Sequence, residues 1–359
     1  MATAGRLCSH LAVWHRRPPE AQTAKMKKNK SPKWGVPFGT EGKLSPTDRM
    51  VASTLGEWYE AKHRGPSKEE IALVNSVTPA SCPFCGSANF VKNGTRKDGV
   101  RKYACRGCGR SFNPLTGTVF DSRKIPMSEW VEYLMHLFEF HSVATSARDN
   151  RNAETTGGYW LSKVFAVLSG RQDGVMLDGR VWLDETYITV DKKEREKKGG
   201  KSLRGVSRNL IAIGVATDGR NMVAFAENGS KPSARRTLGI FEGHIKPGSV
   251  LVHDGDNSHS LLISELGLVS EVHPTSETKG LEDRSNPMDP VNDLHSKLKE
   301  FLRAHKGFRR EGLQDWLNLF WFIWSDPENR YEKVVKFIEM AISEKKVIRY
   351  RDFFAKKPD

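Results

Sequence analysis

Four cysteines, Cys82, Cys85, Cys105 and Cys108, fall into two Cys-x-x-Cys pairs with nineteen residues between them. No other feature of the chain restricts its local fold so tightly. A two-residue gap lets both thiolates of one knuckle reach a single metal ion, and a hairpin between the pairs brings the second knuckle across to complete a tetrahedral zinc site. The segment between them has the chemistry for this. Asp98-Gly99 is a strong two-residue hairpin signal flanked by short β-rich runs. Gly86 and Gly109 follow the two knuckles, where the chain must turn tightly. All four ligand positions are Cys, so the expected site is closed and structural. Buried structural cysteines or a disulfide pair are the alternative reading.

At 359 residues the chain has room for two or three domains. Five cysteines, four of them committed to a metal, point to a reducing compartment, with Cys8 left over. The net charge of +14 favours a polyanionic partner, with nucleic acid the default and a merely solvated basic surface the alternative. No apolar run approaches the ~20 residues of a membrane span, and the richest, Leu317 to Trp324, reads as a buried helix. The expected partners therefore exclude a membrane, and the expected location is the cytoplasm, on the nucleoid. Residues 1–66 read as a basic, largely disordered arm whose cluster Lys25 to Lys30 touches phosphates. An organelle presequence, or a true start at Met26 or Met50, is the other reading of this stretch.

The rest of the chain divides by period. A short helix is expected from Ser67 to Val74, with Ser67 as N-cap and Glu70 at the capping-box position. The cysteine module occupies 67–118, with the ribbon itself from Ser81 to Phe112. Residues 119–175 read as a helical linker or helix-turn-helix. Ser128 is a candidate cap, Trp130, Tyr133, Leu134, Leu137, Phe138 and His141 share one face, a second helix covers Ser142 to Arg148, and a third follows a break at Gly157-Gly158. From Val181 the pattern becomes strands at 181–188, 209–217 and 222–227, then helix 232–245, strand 249–253, helix 259–266, strand 268–273 and a helix from about Pro290 to His305. Asp218-Gly219 joins the second and third strands as a hairpin. This is an α/β domain over 176–330, with a helical tail at 331–359.

In this order the first and fourth strands lie side by side, which would bring Asp184 and Asp254 to one sheet edge. Strand alternation sends Asp184 and Glu185 to opposite faces, so only one of them can serve. Between the first two strands, Lys197, Lys198, Lys201 and Arg204 belong to an exposed basic excursion suited to phosphate tracking, or to solubility alone. Trp316, Phe320, Trp321, Phe322 and Trp324 read as core.

These residues resemble the zinc-ribbon DDE transposases of bacterial insertion sequences. The resemblance spans roughly Cys82 to Trp324. It rests on Cys-Pro-Phe-Cys-Gly at 82–86, Cys-Arg-Gly-Cys-Gly-Arg-Ser-Phe at 105–112, Asn-Pro-Leu-Thr-Gly-Thr at 113–118, Leu-Asp-Glu-Thr-Tyr at 183–187, His-Asp-Gly at 253–255 and Val-Asn-Asp-Leu-His-Ser-Lys-Leu-Lys at 291–299. It implies a ribonuclease H-like mixed sheet with flanking helices, preceded by a small zinc ribbon and a helix-turn-helix-like segment. It also implies a site for two Mg²⁺ ions, or Mn²⁺, with Asp184 bridging both and Asp254 binding one. Double-stranded DNA at element ends and target sites would be the partner, engaged by a homo-oligomer. Lys299 would meet a phosphate near the scissile bond. The departure lies at the third ligand. The family places a Glu seven residues before the Lys, and here that position is Asn292. Asn292 and, one turn on, His295 are the two candidates, while Asp289 and Asp293 miss the spacing. An active transposase, a domesticated and catalytically weakened zinc-ribbon DNA-binding protein, and an RNA-directed nuclease all stay open on these grounds.

Overall fold

A computed structural model describes residues 66–355, apart from 124, 192, 204, 206, 228–230 and 306–307. The expected N-terminal arm up to residue 65, with Cys8 and the Lys25–Lys30 cluster, lies outside the described residues, as do Lys192 and Arg204. The chain divides into two compact units, Met1–Lys163 with Val334–Asp359, and Val164–Lys333.

The first unit opens with α1 (Lys68–Ser76), capped by Ser67, whose hydroxyl accepts from the Glu70 amide at 3.1 Å. The expected capping box is only half made. The Glu70 carboxylate does not return to the cap; it is buried against Arg123 and accepts from the Ser128 amide at 3.0 Å, because a long-range ion pair is available to it. Strands β1 (Phe90–Thr95), β2 (Arg101–Cys105) and β3 (Ser111–Phe112) form an antiparallel sheet in that order. Gly99, at φ +82°, makes the hairpin turn after Asp98, whose carboxylate accepts from the Val100 amide. Phe90, Tyr103 and Phe112 pack a small aromatic core beside Cys82 and Cys105.

Three helices follow, α2 (Glu129–Phe138), α3 (Val143–Asp149) and α4 (Glu154–Leu168). Ser142 caps α3, accepting from the Thr145 amide at 3.1 Å, but Ser128 makes no cap bond and already has helical backbone angles. The break expected at Gly157-Gly158 is absent, and α4 runs straight through it. A Cβ at Gly157 would stand 2.6 Å from that of Ala147, so this glycine lets two helices approach closely and does not end one. Trp130 stacks on Trp160 at 4.5 Å to form the centre of this helical layer. The tail is helical, with α9 (Arg330–Ser343) and α10 (Tyr350–Ala355).

The second unit is a mixed five-stranded sheet with flanking helices. Its strands are β4 (Arg180–Thr189), β7 (Leu210–Thr217), β8 (Met222–Ala226), β9 (Val250–His253) and β10 (Val269–Val272), in the order β10-β9-β4-β7-β8. β4, β7 and β8 pair antiparallel; β9 lies parallel to β4, and β10 parallel to β9. The first and fourth long strands are thus neighbours, as the element order requires. A small hairpin, β5 (Lys197–Lys198) and β6 (Lys201–Ser202), projects between β4 and β7. On one face Val181, Leu183 and Leu251 pack against Phe241 of α5 (Ala234–Phe241) and Leu262 of α6 (Ser260–Leu266). On the other lies α7 (Asp289–Ala304), with Val291, Leu298 and Phe301 buried. The β8 edge is closed without another strand. The Ala224 amide donates to Gln172 at 2.8 Å and the Ala226 amide to Gln314 of α8 (Leu313–Trp324) at 3.0 Å, so two glutamines replace a partner strand. Leu317, Phe320 and Phe322 on α8 are buried, while Trp316, Trp321 and Trp324 of the expected aromatic core are only half-buried.

Candidate active site and metal-binding cysteines

The cysteine quartet sits on two superposable knuckles. Gly86 donates to the Cys82 carbonyl at 2.9 Å and Gly109 to that of Cys105 at 3.0 Å, with φ of +73° and +71°, a conformation that L side chains resist. The sulfurs of Cys82 and Cys108 stand 3.8 Å apart and those of Cys85 and Cys105 3.6 Å. A tetrahedron with Zn–S bonds of about 2.3 Å has edges of about 3.8 Å, so the arrangement fits zinc and is far longer than an S–S bond. The Cys108 and Gly107 amides hold the Cys105 thiol down to about 7. The Ser87 amide favours the Cys85 thiolate too, but the thiols of Cys108, Cys105 and Cys82 together push it up to about 12. Four thiols so close cannot all ionise without a cation among them.

In the second unit β4 carries Asp184 to the sheet centre, opposite Val215, and β9 delivers Asp254 just beyond its last residue. Strand alternation puts Asp184 on the α7 side, where the His295 Nδ1 is 3.7 Å from its Oδ2. The Asp184 Oδ1 accepts from the Glu185 amide at 2.8 Å, and the Asp254 Oδ1 from the Asp256 amide at 2.9 Å. Burial first, and the Asp254 charge second, push the Asp184 carboxyl up to about 7. A carboxylate crowded by burial and by the charge of a second acid is a candidate ligand for a divalent cation.

The α7 helix presents Asn292, His295 and Lys299 at successive turns. His295 is buried and reaches Asp184; burial, and then the Lys299 charge, push its imidazole down to about 4, so it is neutral at pH 7. Asn292 is exposed, its backbone amide donating to the Met288 carbonyl. Asp293 is engaged by Lys297 at 2.6 Å. Lys299 lines a groove of about 690 Å³ beside the C-terminal half of β4, together with Tyr187, Arg195, Arg303 and Phe308. Arg195 belongs to the basic excursion expected to track phosphates, whereas sequence reasoning missed Arg303, although it stands one turn beyond Lys299 on the same helix face. Lys197, Lys198 and Lys201 are exposed on the β5–β6 hairpin, and nothing described brings them to the carboxylates.

The opposite face of β4 holds a buried polar chain that sequence reasoning also missed. Glu185 Oε1 lies 3.3 Å from His259 Nε2, His259 Nδ1 lies 3.0 Å from His253 Nδ1, and His253 Nε2 lies 2.9 Å from the Ser270 hydroxyl. Burial and then His259 push His253 down to about 4. Burial would lower His259 as well, but Glu185 overcomes it and raises the group. Glu227, fully buried, is pushed up to about 7 by burial and then by the Glu185 charge. The one available signal was alternation, which sends Glu185 away from Asp184 and into whatever lies behind.

No protein-family model matches the chain. An uncharacterized protein in transposable element ISH50 of Halobacterium salinarum is 27% identical over 131 residues, covering 35% of this chain and 42% of that protein. The chain thus spans less than half the length of this relative. Among solved structures, the Mos1 strand transfer complex overlaps at a TM-score of 0.28 and 13% identity over 61% of this chain and 79% of that one. The Mos1 mariner paired end complex with Mn gives 0.27 and 13% over the same shares. Overlaps this weak bear on neither fold nor function. Among the described residues no helix is long and apolar enough to cross a membrane.

Proposed function

We propose that this chain is an insertion-sequence transposase of the zinc-ribbon DDE class, with a ribonuclease H-like second unit that cleaves DNA at element ends and joins them to a target. The observation that supports the reading is a half-buried Asp184 at the centre of β4, with His295 of α7 3.7 Å from its carboxylate and the charge of Asp254, at the end of the parallel neighbour β9, felt at its carboxyl. A partial relative that belongs to a transposable element supports it. Asp184, Asp254 and the neutral His295 would hold divalent ions, Mg²⁺ or Mn²⁺, with Asn292 the competing third ligand. Bound there, such ions supply activation of a water or 3′-hydroxyl nucleophile and stabilisation of the leaving oxygen. Lys299, Arg303 and Arg195 would seat the phosphates of the strand along the groove. The cysteine module would hold zinc and dock the duplex, acting in a homo-oligomer on paired ends.

The test is cleavage of labelled DNA carrying the inverted repeats that flank the gene, in the presence of Mg²⁺. Asp184→Ala and Asp254→Ala should each abolish nicking while leaving DNA binding in place; undiminished cleavage by either variant removes the assignment. A second reading is favoured by the exposed, neutral Asn292 standing where the family carries an acid. It is a domesticated DNA-binding protein whose core is catalytically weakened. Asn292→Glu discriminates, since a gain in cleavage marks a weakened site and a loss marks Asn292 as a working ligand.

A further inference from the structure

We propose that His136, His141 and Asp149 form a binding site for a divalent first-row transition ion such as Zn²⁺, separate from the cysteine quartet and from the carboxylates of the second unit. The argument starts from the way α2 ends. His141 donates its amide to the His136 carbonyl at 3.0 Å, Phe140 donates to Leu137 at 3.2 Å, and Phe140 has φ +64°. This pair of bonds with a left-handed residue is a Schellman cap. Such caps usually have glycine at the left-handed position and an apolar contact between the residue after it and the last helical turn. Here the left-handed position is a phenylalanine, at a cost of about 1–2 kcal/mol, and the two residues that the cap forces together are both histidines.

The two rings meet at 5.1 Å between centroids, 24° from parallel. Asp149, the last residue of α3, brings its Oδ2 to 4.0 Å from the His141 Nδ1. One nitrogen from each ring and one carboxylate oxygen all lie within 4.8 Å of one another. The His141 Nδ1 is buried and makes no hydrogen bond, although the rest of its side chain is 40% exposed. A buried, unbonded ring nitrogen costs about 1–3 kcal/mol, which a coordinated ion would offset. Ligands about 2.1 Å from a common ion stand roughly 3.4 Å apart in a tetrahedron, so separations of up to 4.8 Å must close by at most about 1.4 Å. The rings must also open from their stack so that both lone pairs point inward, and the exposed edge of His141 leaves room for this. Two imidazoles and one carboxylate suit Zn²⁺, Co²⁺ or Ni²⁺ over Mg²⁺ and Ca²⁺. An ion there would pin the end of α2 to the end of α3, and three protein ligands would leave a coordination position for water. The proposal stands whether or not Asp184 and Asp254 do chemistry.

The test uses the full chain, loaded with Zn²⁺ and then exchanged into buffer with millimolar Mg²⁺ to occupy hard-oxygen sites. Metal content per chain should be about two zinc ions in the wild type. It should fall to about one in a His136→Gln/His141→Gln variant, and to about one, by loss of the other ion, in Cys105→Ser. Asp149→Asn, which keeps the shape of the side chain, should weaken the non-cysteine zinc at least roughly tenfold. With Co²⁺ the histidine variant should lose visible bands but keep the thiolate-to-cobalt absorption. Unchanged far-UV circular dichroism shows that the double variant is folded; should it unfold, Asp149→Asn alone decides. A histidine variant that retains wild-type zinc, or a wild type whose only zinc is lost in Cys105→Ser, overturns the proposal.

Discussion

Asp184→Asn should stabilise the Mg²⁺-free protein, and only at neutral to alkaline pH. Burial and the neighbouring Asp254 raise the Asp184 carboxyl from 3.8 to about 7. At about 1.4 kcal/mol per pKa unit, three units correspond to about 4 kcal/mol. The side chain is still 24% exposed, so solvent screens part of this, and about 2 kcal/mol is the expected net cost of the charge. The sign follows from proton linkage. A folded state that holds its proton more tightly than the unfolded chain is most stable below the unfolded value, and it loses that advantage as pH rises from about 4 to about 7. Asparagine cannot ionise, so the variant escapes the loss. In buffer lacking Mg²⁺ and Mn²⁺, thermal unfolding at pH 8 should therefore occur roughly 4–8 °C higher in Asp184→Asn than in the wild type, for a unit of this size. The gap should close near pH 4.5. Adding Mg²⁺ should raise the wild type and leave the variant unmoved. Equal midpoints at pH 8, or a gain as large at pH 4.5 as at pH 8, would refute the view that Asp184 is a crowded, desolvated carboxylate waiting for a cation.

Zinc affinity of the cysteine module, measured by competition with a chromophoric chelator, should rise with pH, since the Cys85 thiol, pushed up to about 12, must give up its proton on binding; a flat profile between pH 6.5 and 8.5 would count against a four-thiolate site. Lys299→Ala should reduce the slope of log affinity against log salt for DNA by about one, uniformly across sequences, and an unchanged slope would leave Lys299 as a solvated lysine. Gly214→Ala should cost about 1–3 kcal/mol by denaturant unfolding, because the added methyl would lie 2.8 Å from the Phe241 ring.

Much of the fold was legible because it is local. The Asp98-Gly99 and Asp218-Gly219 turns, the Ser67 cap and the strand alternation around Asp184 depend on residues within a few positions of one another, and the structure has all of them. The errors occur where a distant partner outbid a local rule. Glu70 left its capping box for Arg123, and Gly157 stays helical because Ala147 presses on it.

The sequence by itself determined the cysteine geometry, since a two-residue gap and a following glycine fix where each pair of sulfurs points. It determined as well that Asp184 and Asp254 belong to neighbouring strands, since element order leaves few ways to arrange a mixed sheet. Only the tertiary structure decided that His295, and not Asn292, is the α7 side chain that reaches Asp184. The same holds for Glu185 closing a buried chain with His259 and His253, for two glutamines finishing the β8 edge, and for His136, His141 and Asp149 converging at one corner. Helical spacing puts Asn292 and His295 on one face but says nothing about how that face rotates against the sheet. The rotation is set by the burial of Val291, Leu298 and Phe301, and that packing decides which polar neighbour is carried inward.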